Sequence, residues 1–181
     1  MTNPFYSFNQ FPAQQQNFLR KLQPEYQPKQ AICHLTSPTT DGCLDHGYVY
    51  LTEYPDKTVV SVDLYNLPPG KHGFHVHELG NLSQGCESLG SHYNPFGGVH
   101  GDLNQPGNHL GDLGNITVNA TGRCQTEIIV NYLPLAGPFS IVGRSMVVHS
   151  HQDDLGQGND AESKKTGHSG NRIACGIIGY Y

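Results

Sequence analysis

The stretch "GFHVHE", Gly73 to Glu78, sets His75 and His77 two residues apart with Phe74 and Val76 interleaved. On a β-strand successive side chains point to opposite faces, so Phe74 and Val76 share one face and the two histidines the other. One face is core, and the other presents two imidazoles near enough to hold a single metal ion. The segment "MVVHS" repeats the device: Met146 and Val148 turn inward while Val147 and His149 turn outward. Three outward imidazoles without a thiolate suit copper, zinc, iron or nickel, and Cu(II) favours a tetragonal set of nitrogens, so a fourth is wanted. Between these strands lie His92, His100, His109 and Asp112. Three imidazoles and one carboxylate fill a tetrahedral zinc shell and leave no open position, which marks a structural site. A His92 carried over the first set would face both metals, one ring nitrogen on each.

The elements that must position these residues read as strands. Beyond residue 28 the chain alternates apolar and polar residues in short runs: Ala31–Leu35, His46–Glu53, Lys57–Leu64, Lys71–Glu78, Asn115–Asn119, Arg123–Tyr132, Gly143–His149 and Ile173–Tyr180. Pro55-Asp56, Pro68-Pro69-Gly70 and Thr121-Gly122 separate them with turn chemistry. Short links join only antiparallel neighbours, so the expected fold is all-β, an eight-stranded Greek-key β-barrel or sandwich. Two connections, Leu79 to about Gly114 and Ser150 to about Arg172, are too long for a compact domain unless something orders them. Both are rich in Gly, His, Asp and Asn, and metal binding would supply that ordering energy.

The bulk numbers bound the partners. A chain of 181 residues fits one core, and its net charge of −5 gives no support to a nucleic-acid or anionic-membrane partner. No run of 18 apolar residues is present. Residues 1–28, rich in Gln, Asn, Pro and Phe, read as a disordered extension; Phe11, Phe18, Leu19 and Leu22 after Pro12 hint at a short docking helix within it. The first residues lack the pattern of a secretory leader, which leads to an expectation of cytoplasmic residence. The sequons at Asn81, Asn115 and Asn119 are short enough to arise by chance and carry little weight against that. The five cysteines show no zinc-type spacing, and at least one is a free thiol within the monomer.

"GFHVHELG", "GCESLGSHYNP", "GDLGNITV", "GRSMVVHSHQDDLG" and "TGHSGNRIACGIIG" closely resemble, in the same order, signature segments of the copper/zinc superoxide dismutases. The resemblance runs from about Lys29 to the C-terminus, so residues 29–181 form the expected domain. It implies copper ligation by His75, His77, His92 and His149, and zinc ligation by His92, His100, His109 and Asp112, with His92 as the bridge. It implies that Asp153 hydrogen-bonds one histidine on each side, and that Cys86 and Cys175 form a disulfide. Arg172 would meet the superoxide anion at the copper, with Thr166 across the channel. The implied reaction converts two superoxide anions to dioxygen and hydrogen peroxide by cycling copper between two oxidation states, with His92 taking up and returning a proton. A homodimer would pair through the face carrying Val142, Ile177 and Ile178.

The chain departs from the family in places. His168 stands where members commonly carry Asn, adding positive charge below neutral pH or competing for metal. Ala161, Glu162, Lys164 and Lys165 replace the usual guiding charges of the second loop. His34, His46, His72 and His151 read as surface or edge histidines, and Cys33, Cys43 and Cys124 as buried or partly buried thiols, with a Cys43–Cys124 bridge left open. A metal-binding scaffold without activity and a copper-delivery protein are the competing functions. Retention of every ligand and of Arg172 speaks against the first, and the lack of a metal-transfer cysteine pair against the second.

Overall fold

The computed structural model describes residues 28–40 and 42–181. The expected N-terminal extension, with its hinted helix, lies outside them apart from Pro28. Eight strands form one antiparallel sheet in the order β6-β4-β8-β9-β1-β2-β3-β7. They are β1 (Lys29–Thr39), β2 (Gly42–Glu53), β3 (Thr58–Leu64), β4 (Gly70–His77), β6 (Asp112–Val118), β7 (Cys124–Val130), β8 (Ser145–His149) and β9 (Arg172–Tyr180). The sheet's two ends, β6 and β7, are consecutive in the chain, so the turn between them draws the sheet into a nearly closed barrel. Asn119 shapes that turn: its Oδ1 accepts from the backbone N–H of Thr121 and of Arg123, while Gly122 takes a φ of 78° that a side chain would resist.

Alternation builds the core. Ala31, Cys33 and Leu35 of β1, Val60, Val62 and Leu64 of β3, and Phe74 and Val76 of β4 turn inward to meet Met146, Val148 and Ile178. Each such side chain stabilises the barrel by roughly 1.5–3 kcal/mol over leaving it in water. Val147 points outward as expected, yet it is fully buried, in a satellite cluster with Cys86, Leu89 and Cys175.

The long first loop contains a short ninth strand, β5 (Ser83–Cys86), and a 3₁₀ turn at Glu87–Leu89. Four residues without apolar alternation leave no periodic signal for β5. The second loop carries one helical turn, α1 (Ser163–Thr166). Boundaries also move: β6 starts at Asp112 rather than Asn115, β7 stops at Val130 rather than Tyr132, and β1 extends to Thr39 rather than ending at Leu35.

Several side chains depart from the sequence reading. His46 and His72 are buried, not surface residues. His46 sits between the Ser37 hydroxyl at 2.8 Å and the Tyr65 carbonyl at 3.2 Å, so its polar atoms are satisfied inside. His72 spans the carbonyls of Pro68 and His149, both at 2.8 Å. His34 and His151 are exposed as expected. Cys33 and Cys124 are buried thiols, whereas Cys43 is exposed near the end of the β1–β2 hairpin, and no Cys43–Cys124 bridge forms.

Candidate metal centre

Strand register assembles the first half of the site. In β4 and β8, Phe74 pairs with Val148, and His75 with Val147. One strand further, His149 pairs with Arg172 across a bulge between Val148 and His149. On the other side of β4, His75 pairs with Asp112 after an irregularity at Gly73. The first loop returns to make an isolated bridge between His77 and His92. Ligand atoms of His75, His77, His92 and His149 therefore lie within 4.8 Å of one another, as do those of His75, His92, His100 and Asp112. His75 and His92 belong to both groups and His109 to neither, and all of these residues are buried.

Hydrogen bonds decide which nitrogen each ring offers. His77 Nδ1 donates to the Gly90 carbonyl at 2.9 Å, and His149 Nδ1 to the Gly170 carbonyl at 3.2 Å. Both rings thereby turn Nε2 inward, and the two Nε2 atoms lie 3.2 Å apart. His75 has the opposite arrangement. Its Nε2 donates to Asp153 Oδ2 at 2.7 Å, which leaves Nδ1 as the inward atom. A backbone carbonyl or carboxylate on the far nitrogen fixes tautomer and ring orientation together.

Around Asp112 one oxygen collects three rings, His109 among them. His92 Nδ1 and His100 Nδ1 each lie 3.0 Å from Asp112 Oδ1, and His109 Nδ1 lies 3.3 Å from it. Asp112 Oδ2 is held from behind by the backbone N–H groups of Gly101 and His109, both at 3.1 Å. Three imidazole nitrogens and a carboxylate oxygen converging on one point are a zinc-type donor set.

Asp153 ties the groups together. Its Oδ2 takes the His75 bond and its Oδ1 accepts from His100 Nε2 at 2.8 Å. The second loop positions it through a reciprocal pair with Asn115, at 2.9 and 2.8 Å. Gly167 lies against the Asp153 carboxylate and His100 Nε2 with a φ of 65°, and any side chain there would occupy their space.

Electrostatics favour lone pairs facing inward. Burial, helped by neighbouring His92, drives His75 and His77 well below the ordinary imidazole range. Burial pushes His149 down to about 4 and lowers His92 against the pull of Asp112. His100 differs. Burial opposes its charge, but the Asp112 and Asp153 carboxylates at its two nitrogens outweigh that and raise it to about 9. Burial alone would raise Asp112; hydrogen bonds from His100 and His92, with the His109 ring 3.3 Å away, hold it far below the carboxylate range instead.

Metal ions fit both groups by a test independent of ligand type. Among the described residues, the buried side-chain polar atoms without a hydrogen-bond partner are His75 Nδ1 and His109 Nδ1. One belongs to each side of the site. An unpaired buried polar atom costs roughly 1–3 kcal/mol, and a cation at each position would remove the cost.

Above the rings opens a cleft of about 480 Å³ whose walls include His77, His92, His149, Thr166, His168 and Arg172. Arg172 is anchored rather than free: its guanidinium donates to the Cys86 carbonyl at 2.6 Å and to the Gly90 carbonyl at 2.5 Å. Gly90 thus orients His77 and Arg172 at once. Thr166 stands in the same cleft, its hydroxyl bonded to Glu162 Oε1 at 2.6 Å. The first loop is fastened below by the Cys86–Cys175 disulfide, with Cα atoms 5.8 Å apart. The carbonyls of Gly90 and Gly170, and the clamp of Asn115, were absent from the sequence reading. Backbone acceptors carry no residue-type signal, and Asn115 reads there only as a sequon.

A family profile described as copper/zinc superoxide dismutase matches residues 45–178. The extracellular superoxide dismutase [Cu-Zn] of Drosophila melanogaster is 45% identical over 155 residues, covering 84% of this chain and 86% of that protein. A solved structure described as the clock protein EA4 superposes with a TM-score of 0.77 at 39% identity, covering 87% of this chain and 98% of that one. The expectation of cytoplasmic residence is overturned, because the fly relative is extracellular and the disulfide is of a kind that persists in oxidising surroundings.

Proposed function

Because the chain belongs to the copper/zinc superoxide dismutase family, we propose that His75, His77, His92 and His149 hold its copper and His92, His100, His109 and Asp112 its zinc. The protein is a superoxide dismutase that uses both metals. The single observation that best supports the residue assignment is the placing of His92 in both donor groups with its Nδ1 on Asp112; His75, the other shared ring, gives its Nε2 to Asp153 and has one nitrogen left to offer. Bound copper supplies the redox chemistry, taking an electron from one superoxide to give dioxygen and passing it to a second, which leaves with two protons as hydrogen peroxide.

The chain's own groups do the rest. Arg172 holds a fixed positive charge at the cleft because three backbone carbonyls, of Cys86, Glu87 and Gly90, aim its guanidinium. A small anion is drawn there despite the net charge of −5, since a narrow cleft focuses the local field. Thr166 limits the opposite wall, so bulkier anions are disfavoured. His92 keeps Nδ1 toward Asp112 and uses Nε2 to carry a proton to the departing peroxide. Asp153 keeps His75 and His100 in matched tautomers so that neither half turns without the other.

Metal analysis combined with a superoxide-consumption assay tests the assignment. Loaded protein should contain one copper and one zinc and show a copper spectrum that shifts when zinc is withdrawn; an unchanged spectrum would remove the shared ring. Arg172→Glu should lower the consumption rate by more than tenfold and invert its salt dependence. An unaffected rate would exclude this route for the anion.

Residues 29–181 act as one domain in this reading. A second copy of the chain is the expected partner. Leu79 and Leu82 are 47% and 43% exposed, and Leu79 lies beside β8 through the Ser145 hydroxyl bond to its carbonyl. Half-buried Val142 and Ile177 continue this apolar face. Buried Ile178 belongs to the core and is withdrawn from it. Light scattering should give twice the chain mass of 19.8 kDa; a monomer would reject the pairing. Among the described residues no helix is long and apolar enough to cross a membrane. The name of the fly relative and the disulfide favour work outside the cell.

A further inference from the structure

His168 lies on the wall of the metal cleft in a left-handed conformation, φ 52°, directly after Gly167 closes α1. Both of its ring nitrogens face carboxylates: Nδ1 is 2.8 Å from Asp154 Oδ2 and Nε2 is 3.2 Å from Asp160 Oδ1. Carboxylates only accept, so the Asp154 hydrogen bond takes the Nδ1 proton, and the Asp160 carboxylate at ion-pair distance from Nε2 favours a proton there as well. The two acids belong to separate parts of the second loop. Asp154 follows directly on Asp153, and it also accepts from the Ser163 hydroxyl and the Gly156 N–H. Asp160 accepts from the backbone N–H groups of Glu162 and Ser163 at the start of α1. His168 thus joins the loop's outgoing arm to the head of the helical turn that carries Glu162, Lys165 and Thr166 into the cleft.

We propose that His168 is a proton-dependent clasp on the channel wall, which holds the second loop closed and contributes a positive charge to anion capture only while its ring is doubly protonated. This rests on the superoxide dismutase reading for its effect on rate, but not for the clasp itself. The charged groups facing the ring are Asp154, Asp160 and Glu162 of its own loop, with Lys165 and Arg172 lining the same cleft and His77, His92 and His149 at its floor. The hydrogen bond to Asp154, followed by the charges of Asp160 and Glu162, raises the imidazole above its ordinary range. The sign follows: the clasp is complete below the ordinary imidazole value and is lost as pH rises through the elevated one. The same pairing leaves no ring lone pair for a metal, so His168 does not compete with the metal ligands.

Two measurements test it. Nitrogen-15 NMR of the reduced, metal-loaded protein should find the His168 ring doubly protonated at pH 6.5, and Asp160→Asn should move its midpoint down. That substitution keeps the oxygen that accepts from Glu162 and Ser163, so the helical turn survives. In superoxide consumption at low ionic strength, the wild-type rate should step down about twofold as pH rises through the same midpoint, and added salt should shrink the step. His168→Asn, which tolerates the left-handed backbone, should run without the step at the lower level, and His168→Lys without the step throughout. A ring already neutral at pH 6.5, or a step that persists in His168→Asn, overturns the proposal. Protein that consumes no superoxide at any pH refutes the dismutase reading instead, and the NMR titration still decides the clasp.

Discussion

The two halves of the metal centre are held by different kinds of force. His75, His77 and His149 sit on β4 and β8, whose inward faces carry Phe74, Val76, Met146 and Val148 in the core. Sliding either strand by one residue would turn its apolar face to water, so packing fixes these imidazoles whether or not a metal is present. His92, His100 and His109 ride on a long loop with little regular structure, fastened by backbone bonds of Ser91, Tyr93 and Gly111 at the end of β4 and of His100 to the second loop, and by the Asp112 carboxylate, Arg172 and the disulfide. The strand-borne histidines are therefore placed by the fold, and the loop-borne ones need ligation and cross-linking to hold them. One face of the barrel is preorganised, while the other is assembled on it.

The sharpest way to break this comparison is to open the disulfide. Cys86 and Cys175 are separated by 89 residues, and a cross-link of that span contributes about 4–5 kcal/mol on the chain-entropy model. Replacing both by Ser should lower unfolding free energy by that order in denaturant titrations. The loss should fall unevenly: amide exchange in residues 79–111 should accelerate far more than in β4 and β8, with zinc retention dropping before copper retention. Equal acceleration in the two regions would mean that the strands are no better anchored than the loop.

The same division explains what the sequence discloses. Strand periodicity makes the strand-borne histidines readable, because Phe74/Val76 and Met146/Val148 announce both the buried face and the face left for histidine. The loop-borne candidates are readable by residue type and spacing alone, and their contacts are not. β5 has four residues and no alternation. His46 and His72 look like surface histidines because their partners are backbone carbonyls and one hydroxyl, distant in sequence. The burial of Val147 needs the loop to fold over it, which no pattern within β8 records. Cys43 is exposed because its hairpin runs past the core.

Asp153 sharpens the comparison most finely, because its carboxylate bonds both a strand-borne and a loop-borne ring, His75 at 2.7 Å and His100 at 2.8 Å. Asp153→Asn keeps the shape but replaces one of two acceptor oxygens with a donor, so it can serve only one of the two rings as before. Loss of such a partner typically costs ten- to a hundredfold in metal affinity, about 1.4–2.7 kcal/mol. The burden should not be shared equally. His75 is held by strand register even without Asp153, whereas His100 has only Asp112 and the loop backbone to orient it. Competition with a chelator should therefore show zinc affinity falling by the larger factor and copper affinity by the smaller. Equal losses would mean that the carboxylate couples the halves so tightly that they behave as one unit, and that the preorganised strand face gains nothing from its own packing.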